Sequence, residues 1–450
     1  GGAGAETVLG GLGDDTLDGG TGSDSIDGGA GTDQLSFAAA DFSAGVRMTY
    51  SFGRHTVEHI GTPDVDTVTG VENFVGSSGN DTLDGSGGDN VLDGGSGVDR
   101  VTYSASGALT LNLIDTATIS VLGTTAGVGN DVLLNVERVD LGEGDDLLQG
   151  FVGGYTLDGK GGSDTLALNA GSSASNSDAY VALAPVSDLT PGTAKVGSST
   201  MSLFGIENVS TGNGNDTLIG NAGDNLLNGG GGTDIADYSS LSASQPVSVS
   251  LQNDGSGLRH LVTGDLAGND TLVAIEKVVG SKGADTFTGL VNGTSIDGFL
   301  GTDLADYTAD TRNLLIDVQS SVAKAYDAGM VEQAAQGVLE VEEFRTGSGS
   351  DTFVASLGDV NHLFNGGAGN DVASFTNATL GLTVDMVGGT VRDASASNQI
   401  GIDTLIGIET VIGGAGNDTF YAATGNIANT FDGGGGAGNW ADYSRVFADA

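Results

Sequence analysis

The chain has 450 residues, too many for one compact core and suited to several domains or a repeat array. Its 59 acidic residues against 14 lysines and arginines give a net charge of −45, which disfavours nucleic acids and anionic membranes as partners and favours cations. Glycine supplies 80 residues and proline only 4, which excludes collagen and proline-rich linkers. Cysteine is absent, so disulfides and thiolate metal sites are excluded. No apolar run approaches the ~20 residues of a membrane-spanning helix.

Residues 1–36 divide into four nonapeptides: GGAGAETVL, GGLGDDTLD, GGTGSDSID and GGAGTDQLS. All four have glycine at positions one, two and four, an acid at position six and an apolar residue at position eight. The glycines allow a turn with positive φ, and the apolar residue predicts a short strand that points inward. Two nonapeptides therefore predict one flattened coil of 18 residues, which stacks on the next coil through parallel β-ladders.

The same unit returns six times along the chain. Each return is marked by an apolar–Glu pair, and a position-six aspartate follows nine residues after the glutamate. The glutamates are Glu72, Glu137, Glu207, Glu276, Glu342 and Glu409, spaced 65 to 70 residues apart. We therefore expect a lead-in block, six modules and the tail of a fragment of a longer protein. Their bounds are 1–36, 37–104, 105–170, 171–239, 240–308, 309–376, 377–444 and 445–450.

Alternating stretches between the glycine-rich blocks, such as Leu109/Leu111/Leu113, predict half-buried strands. The segment Ser321–Glu343 is ambiguous and allows either strands or a short helix. The expected fold class is therefore all-β, a parallel β-roll or β-helix solenoid stabilised by calcium and built from repeated modules.

The aspartates have a spacing that predicts metal sites. Acids nine residues apart fall on opposite edges of an 18-residue coil, whereas acids 18 apart stack on the same edge. Carboxylates and backbone carbonyls together form an all-oxygen cage of flexible geometry, which suits calcium better than zinc or magnesium. The alternative is that these aspartates are ordinary turn residues, but the recurring 18-residue spacing favours several calcium ions. The predicted ligands are Asp15, Asp24, Asp33, Asp81, Asp99, Asp146, Asp164, Asp216, Asp234, Asp285, Asp303, Asp351, Asp371 and Asp418.

Most of these aspartates form pairs: Asp15/Asp33, Asp81/Asp99, Asp146/Asp164, Asp216/Asp234 and Asp285/Asp303 are 18 apart, and Asp351/Asp371 are 20 apart, which predicts a two-residue bulge. Asp418 has Asn439 at the expected place, which predicts a weaker site.

The opposite edge of each module is poorer in acids, and we expect weak or no calcium there. Its pairs are Glu72/Asn90, Glu137/Tyr155, Glu207/Asn225, Glu276/Thr294, Glu342/His362 and Glu409/Asn429. Only the lead-in block, with Glu6/Asp24 opposite Asp15/Asp33, is expected to load both edges. At position nine, turn capping is favoured over outer-sphere charge for Asp18, Asp27, Asp84, Asp93, Asp158 and Asp297.

The nonapeptides resemble those of the RTX (repeats-in-toxin) family, the hemolysin-type calcium-binding repeat proteins. The resemblance implies secretion from a Gram-negative bacterium through a type I channel and folding outside the cell. It also implies a carboxyl-terminal secretion signal, which is not visible here. Charge and composition agree with calcium-dependent folding, because repulsion and the ordering of glycine oppose folding of the metal-free chain. Ions that bind only the folded state would shift this balance.

No catalytic motif is evident, and we expect no enzyme activity. His55 and His59 in RHTVEH are expected to be solvated strand residues rather than a metal pair. An apolar–aromatic row, with one residue in each block, is expected to pack the junction between coils and strands rather than to form a carbohydrate platform. It comprises Phe37, Tyr103, Leu168, Tyr238, Tyr307, Phe375 and Tyr443.

The leading hypothesis is a secreted calcium-binding structural segment of a bacterial surface layer, extracellular filament or adhesin, located outside the cell or at its surface. Its partners would be calcium ions and, in addition, copies of itself or cell-surface polysaccharide. The alternative is a carrier or secretion module of a secreted enzyme or toxin whose catalytic domain lies elsewhere.

Overall fold

The computed structural model describes residues 1–38, 42–104, 107–115, 118–123, 128–168, 176–185, 190–253, 257–358, 360–394, 399–423 and 429–444. This part of the chain contains 48 strands and no α-helix, so within it no helix meets the length and apolarity that crossing a membrane requires. The chain divides into two compact units, unit 1 (Gly1–Gly232) and unit 2 (Thr233–Ala450).

The described strands of unit 1 are β1 (Gly2–Ala3), β2 (Thr7–Leu12), β3 (Thr16–Leu17), β4 (Gly20–Thr21), β5 (Ser25–Ala30), β6 (Gln34–Ser36), β7 (Val46–Ser51), β8 (Arg54–His59), β9 (Val65–Thr69), β10 (Asn73–Val75), β11 (Thr82–Asp84), β12 (Val91–Asp93), β13 (Arg100–Thr102), β14 (Leu109–Leu113), β15 (Thr118–Gly123), β16 (Asn130–Leu134), β17 (Arg138–Asp140), β18 (Leu147–Gln149), β19 (Thr156–Asp158), β20 (Thr165–Ala167), β21 (Ala179–Ala182), β22 (Gly192–Val196), β23 (Ser199–Phe204), β24 (Asn208–Ser210), β25 (Thr217–Ile219) and β26 (Leu226–Asn228).

The described strands of unit 2 are β27 (Ile235–Asp237), β28 (Ser248–Ser250), β29 (Arg259–Gly264), β30 (Gly268–Val273), β31 (Lys277–Val279), β32 (Thr286–Thr288), β33 (Ser295–Asp297), β34 (Leu304–Asp306), β35 (Asn313–Asp317), β36 (Val322–Tyr326), β37 (Glu332–Leu339), β38 (Glu343–Arg345), β39 (Thr352–Val354), β40 (Leu363–Asn365), β41 (Val372–Ser374), β42 (Leu382–Asp385), β43 (Thr390–Asp393), β44 (Ile402–Ile406), β45 (Thr410–Ile412), β46 (Thr419–Tyr421), β47 (Thr430–Asp432) and β48 (Trp440–Asp442).

Short strands of unit 1 alternate between two sheets as the chain coils. β2 pairs in parallel with β5, and β3 with β6, each with an offset of 18 residues. The same offset joins β11 to β13 and β18 to β20. The 18-residue coil predicted from the nonapeptides is therefore present, and the all-β repeat fold is confirmed.

Three-stranded antiparallel meanders interrupt the coils. We call the sheet of unit 1 that contains β2 and β5 the first sheet, and the one that contains β3 and β6 the second sheet. The meanders β7–β9 and β21–β23 lie in the first sheet, and β14–β16 lies in the second. In unit 2, β28–β30 and β42–β44 share one sheet, and β35–β37 lies in the other. Each meander reverses the local strand order, since its third strand pairs with the preceding coil (β5–β9) and its first with the following coil (β7–β11).

The strand order follows the predicted modules. In each of the six intervals from 37–104 to 377–444, one meander precedes four strands of three residues. The boundary between the two compact units falls inside the third interval, and the module boundaries themselves stay a prediction. The ambiguous segment Ser321–Glu343 contains β36 and β37, so its strand interpretation is confirmed.

The core lies between the two sheets of each unit. The central residue of a short strand points inward, and Leu83, Leu92, Val101 and Leu148 are all at most 1% exposed. Because one apolar side chain per strand fills this narrow space, stacking of successive coils makes the core continuous along a unit.

Candidate metal centre

The predicted aspartates lie in the turns, each directly before a short strand. In the stacked pairs, the backbone N–H of the first aspartate donates to Oδ1 of the second. The N–O distance is 2.8 Å for Asp15 to Asp33 and 2.8 Å for Asp81 to Asp99. The further bonds of this kind are Asp146 to Asp164, Asp285 to Asp303 and Asp351 to Asp371, at 2.7, 2.7 and 2.8 Å. The predicted stacking of these five pairs is therefore present.

The other carboxylate oxygen, Oδ2, is buried and has no hydrogen-bond partner at ten of the fourteen predicted ligands, within the described part of the chain. These ten are Asp15, Asp24, Asp33, Asp99, Asp146, Asp164, Asp303, Asp351, Asp371 and Asp418. A buried acceptor without a partner is unfavourable, and most so when it is charged. A bound cation would remove this penalty.

A second oxygen meets Oδ2 at the position-one glycine of several turns. A Cβ atom built on Gly366 would lie 2.5 Å from Asp371 Oδ2 and 2.6 Å from the Gly407 carbonyl oxygen, closer than real Cβ contacts. A Cβ on Gly94 would lie 2.7 Å from Asp99 Oδ2 and would overlap the Asn135 carbonyl oxygen. Glycine is therefore needed here because carboxylate and carbonyl oxygens converge on its Cα.

Burial raises the pKa of the stacked carboxyls, and neighbouring acids reinforce the shift in the second member of a pair. The pKa of Asp164 rises to about 8, through burial first and then through Asp146 and Glu207. The same two causes raise the pKa to about 7 at Asp99, Asp303 and Asp371. Burial raises the pKa of Asp146 to about 6. Among the described residues, no ion pair with a basic side chain holds these carboxylates ionised.

A contrasting acid, Asp140, is neutralised by basic side chains. It is 1% exposed and forms ion pairs with Arg100, Arg138 and Lys160. Burial alone would raise its pKa, but the hydrogen bonds from these three cations outweigh burial and lower it. The stacked aspartates have no such cations in the described ion pairs, so a metal ion is the remaining kind of counter-charge.

The six glutamates clamp the end of each meander to the coil beneath it. Glu137 Oε2 accepts the N–H of Asp99 at 2.7 Å, while the Glu137 and Arg138 N–H groups donate to the Asp99 carbonyl. Equivalent bonds to Oε2 are made by Asp33, Asp164, Asp234, Asp303 and Asp371. Two residues before each glutamate the chain has positive φ, at Gly70, Asn135, Gly205, Ala274, Glu340 and Gly407. This left-handed residue ends the third meander strand and aims the glutamate back at the preceding aspartate.

The acid pair changes edge from one module to the next. Asp81 and Asp99 precede strands of the first sheet of unit 1, whereas Asp146 and Asp164 precede strands of the second. The less acidic Glu72/Asn90 pair continues the edge that begins with Asp15 and Asp33, because Glu72 binds the Asp33 N–H. Each module has one edge that is richer in acidic residues, in agreement with the prediction. The alternation of that edge from module to module was not predicted.

Sequence reasoning missed a set of buried aspartates on the third meander strands: Asp66, Asp131, Asp270 and Asp403, each at most 1% exposed. Oδ1 accepts a further turn N–H at three of them: from Asp24 at Asp66 (2.9 Å), from Asn90 at Asp131 (2.8 Å) and from His362 at Asp403 (2.8 Å). Each lies six residues before a clamp glutamate, as in VDTVTGVE and IDTLIGIE, and this spacing could have identified them. Burial raises the pKa of Asp131 to about 6.

The remaining predicted positions have mixed outcomes. Asn439 lies where it was expected, with its Oδ1 accepting the Asp418 N–H at 2.8 Å. Asp216 belongs to unit 1 and Asp234 to unit 2, so their pairing stays a prediction. Oδ1 accepts the N–H two residues later at five of the six position-nine acids, which supports turn capping; these are Asp18, Asp84, Asp93, Asp158 and Asp297.

The two histidines of RHTVEH are not solvated as expected. His55 is 6% and His59 is 3% exposed, because both point to the interior face of β8. His59 Nε2 lies 2.9 Å from Asp66 Oδ2. The apolar–aromatic row is buried at six of its seven positions, the exception being Tyr443. Tyr103 donates to Asp131 and Tyr238 to Asp270, so this row packs the junctions as predicted.

The donor set fits calcium. Within the described residues, no three side chains of His, Cys, Asp or Glu gather into a metal cluster, so any ion must also take backbone oxygens. Converging carboxylate and carbonyl oxygens at the position-one glycines provide such a set, and calcium prefers this combination.

Four stretches of the chain match the RTX calcium-binding nonapeptide repeat: residues 1–35, 66–101, 204–236 and 403–438. This chain carries RTX calcium-binding repeats. RTX repeats bind calcium, so the chain binds several calcium ions. Proteins that carry these repeats are typically secreted, which implies an extracellular location. No curated protein matches the chain. The RTX matches include Asp15/Asp33, Asp81/Asp99 and Asp216/Asp234 but not Asp146/Asp164, Asp285/Asp303 or Asp351/Asp371. The three unmatched pairs nevertheless make the same N–H to Oδ1 bond as Asp81/Asp99.

Proposed function

We propose that this chain is a calcium-stiffened structural segment of a secreted bacterial surface-layer, filament or adhesin protein, without catalytic activity of its own. The observation that carries the proposal is repetition: six meander-plus-coil intervals with stacked, buried aspartates in their turns. The fourteen predicted aspartates would supply the carboxylate oxygens of the calcium sites, including the pairs outside the RTX matches.

Calcium would make folding conditional on location. A net charge of −45 opposes compaction of the metal-free chain. Extracellular calcium modules typically bind at ~10⁻⁴–10⁻³ M, a concentration present outside cells and absent from the cytosol. The segment would therefore become rigid after export, with copies of itself or surface polysaccharide as the partners.

The test combines calcium dependence with assembly. Circular dichroism should show β-structure with calcium and its loss with EGTA; an unchanged spectrum would refute calcium-dependent folding. Electron microscopy and sedimentation of the calcium-loaded chain should then show fibres or sheets. A calcium-folded chain that stays monomeric would favour the second candidate, an RTX carrier module of a secreted enzyme or toxin, which the RTX matches alone support equally well.

A further inference from the structure

In two turns a serine satisfies the position-six aspartate, whereas Oδ2 of that aspartate is buried without a partner in ten other turns of the described chain. In the turn 76–81, Asp81 Oδ2 accepts the Ser77 N–H at 2.6 Å and Oδ1 accepts the Ser77 hydroxyl at 2.8 Å. In the turn 280–285, Asp285 accepts the Ser281 N–H at 2.5 Å and the Ser281 hydroxyl at 2.7 Å.

The serines close these turns completely. Ser77 Oγ also accepts the Gly79 N–H at 3.0 Å, and Ser281 Oγ accepts the Gly283 N–H at 2.9 Å. Both serines are buried, at 4% and 0% exposure. The hydroxyl therefore bridges the carboxylate and the turn backbone, so that Asp81 and Asp285 have both oxygens hydrogen-bonded.

The same two aspartates join a meander to a coil. Asp81 Oδ1 accepts the N–H of Val46, at the start of β7, and Asp285 Oδ1 accepts the N–H of Val247, just before β28, each at 2.7 Å. One such serine turn lies in each compact unit.

We propose that Ser77 and Ser281 take the place of calcium in the turns 76–81 and 280–285. These two turns close without metal, and one ordered junction per unit exists before calcium binds. Turns whose aspartate has a free Oδ2, such as 94–99 and 298–303, stay open until calcium arrives. This inference rests on the proposed calcium dependence and restricts it to part of the stacked aspartates.

Hydrogen–deuterium exchange of the whole chain tests the inference. With EGTA, segments 76–84 and 280–288 should exchange at least about tenfold more slowly than segments 94–102 and 298–306. Ser77→Ala and Ser281→Ala should each abolish this protection in their own turn without calcium, as expected for loss of a hydrogen bond to a charged acceptor. Ser96→Ala and Ser348→Ala replace exposed serines of other turns and should leave the protection unchanged.

The outcomes separate the two proposals. If all four segments lose protection equally in EGTA and regain it with calcium, the serine inference is wrong and the calcium-dependent fold stands. If no segment responds to calcium, both are wrong. If Ser77→Ala leaves segment 76–84 protected without metal, the hydroxyl does not replace the ion, and the inference is overturned.

Discussion

The two oxygens of a stacked aspartate have separate roles. Oδ1 of Asp164 accepts the Asp146 N–H and so sets the position of the neighbouring turn, whereas Oδ2 is buried without a partner. A side chain that positions the backbone with one oxygen can offer the other to a metal without moving. Such pre-organisation lowers the entropic penalty of ion binding.

Replacing Asp164 tests this division of roles. Asp164→Asn keeps an Oδ1 acceptor for Asp146 and removes the charge, so the calcium-loaded chain should remain folded and bind about one ion fewer. The control is Asp145→Asn, which removes the same charge from an exposed side chain whose Oδ1 accepts the Ser163 N–H. Calorimetric titration of both variants gives the stoichiometry. An unchanged stoichiometry in Asp164→Asn would remove Asp164 from the ligand set.

Much of the site at this scale was predictable, because an 18-residue spacing depends only on the strand and turn lengths of a coil. Asp99, Asp164 and Asp303 were located by that spacing alone. Asp131 was not, because it lies within a meander strand, and its position over Asn90 depends on how the meander folds back. The buried histidines were misjudged because alternation identifies a strand and not which of its two faces is buried.

At the scale of elements, several turns stack with no space for a side chain. Where two acid-pair turns stack, the position-four glycine of the second packs against the carbonyl of the position-four glycine in the first, as Gly97 does on Gly79. Separation between coils is thus set by backbone contact in the turns as well as by the β-ladders. A group that widens one turn must disturb the adjoining hydrogen bonds.

Two glycines with similar backbones separate this steric effect from backbone strain. Gly97 has φ +143° and Gly88 has φ +135°. A Cβ on Gly97 would overlap the Gly79 carbonyl oxygen, whereas a Cβ on Gly88 would have no heavy atom of the described residues within 4 Å, its two chain neighbours apart. Gly88→Ala should therefore cost about 1–2 kcal/mol in stability, from backbone strain, and Gly97→Ala clearly more. Denaturant unfolding of the calcium-loaded variants measures the difference. Equal losses would show that turn stacking is not tight.

The alternation of meanders between sheets was beyond sequence reasoning. The period-two patterns predicted the strands of each meander, but not whether they would extend one sheet or lie across both. That choice is made by long-range pairing, in which β9 joins β5 and β7 joins β11, and no local propensity encodes it.

At the scale of the whole molecule, charge and fold oppose each other until a cation binds. The folded chain holds carboxyls whose pKa values rise to about 6 to 8 at Asp146, Asp99 and Asp164 through burial. Unfolded aspartates titrate near 3.9. Between these values the metal-free folded state binds more protons than the unfolded state, so its stability falls as pH rises.

Protons and calcium should therefore compete. Without calcium, more β-structure should persist at about pH 5 than at about pH 8, because the raised carboxyls are protonated at the lower value. With calcium, the concentration needed for half-folding should fall as pH rises from about 6 to about 8, because the ion binds the deprotonated form. Circular dichroism during calcium titrations at several pH values measures both trends. A pH-independent midpoint would show that these carboxyls do not hold the ion.

The alternating meanders also determine the symmetry of the array. From one meander to the next, the chain crosses five times between the two sheets. Because five is odd, the next meander lies in the opposite sheet, and successive modules are related by half a turn about the long axis of a unit. In unit 1, the interval 37–104 adds two extra strands to one sheet, and 105–170 adds two to the other. Two modules therefore form the smallest piece that repeats by translation alone. Lengthening or shortening such a protein by pairs of modules would preserve equal sheets, whereas a single added module would leave one sheet longer.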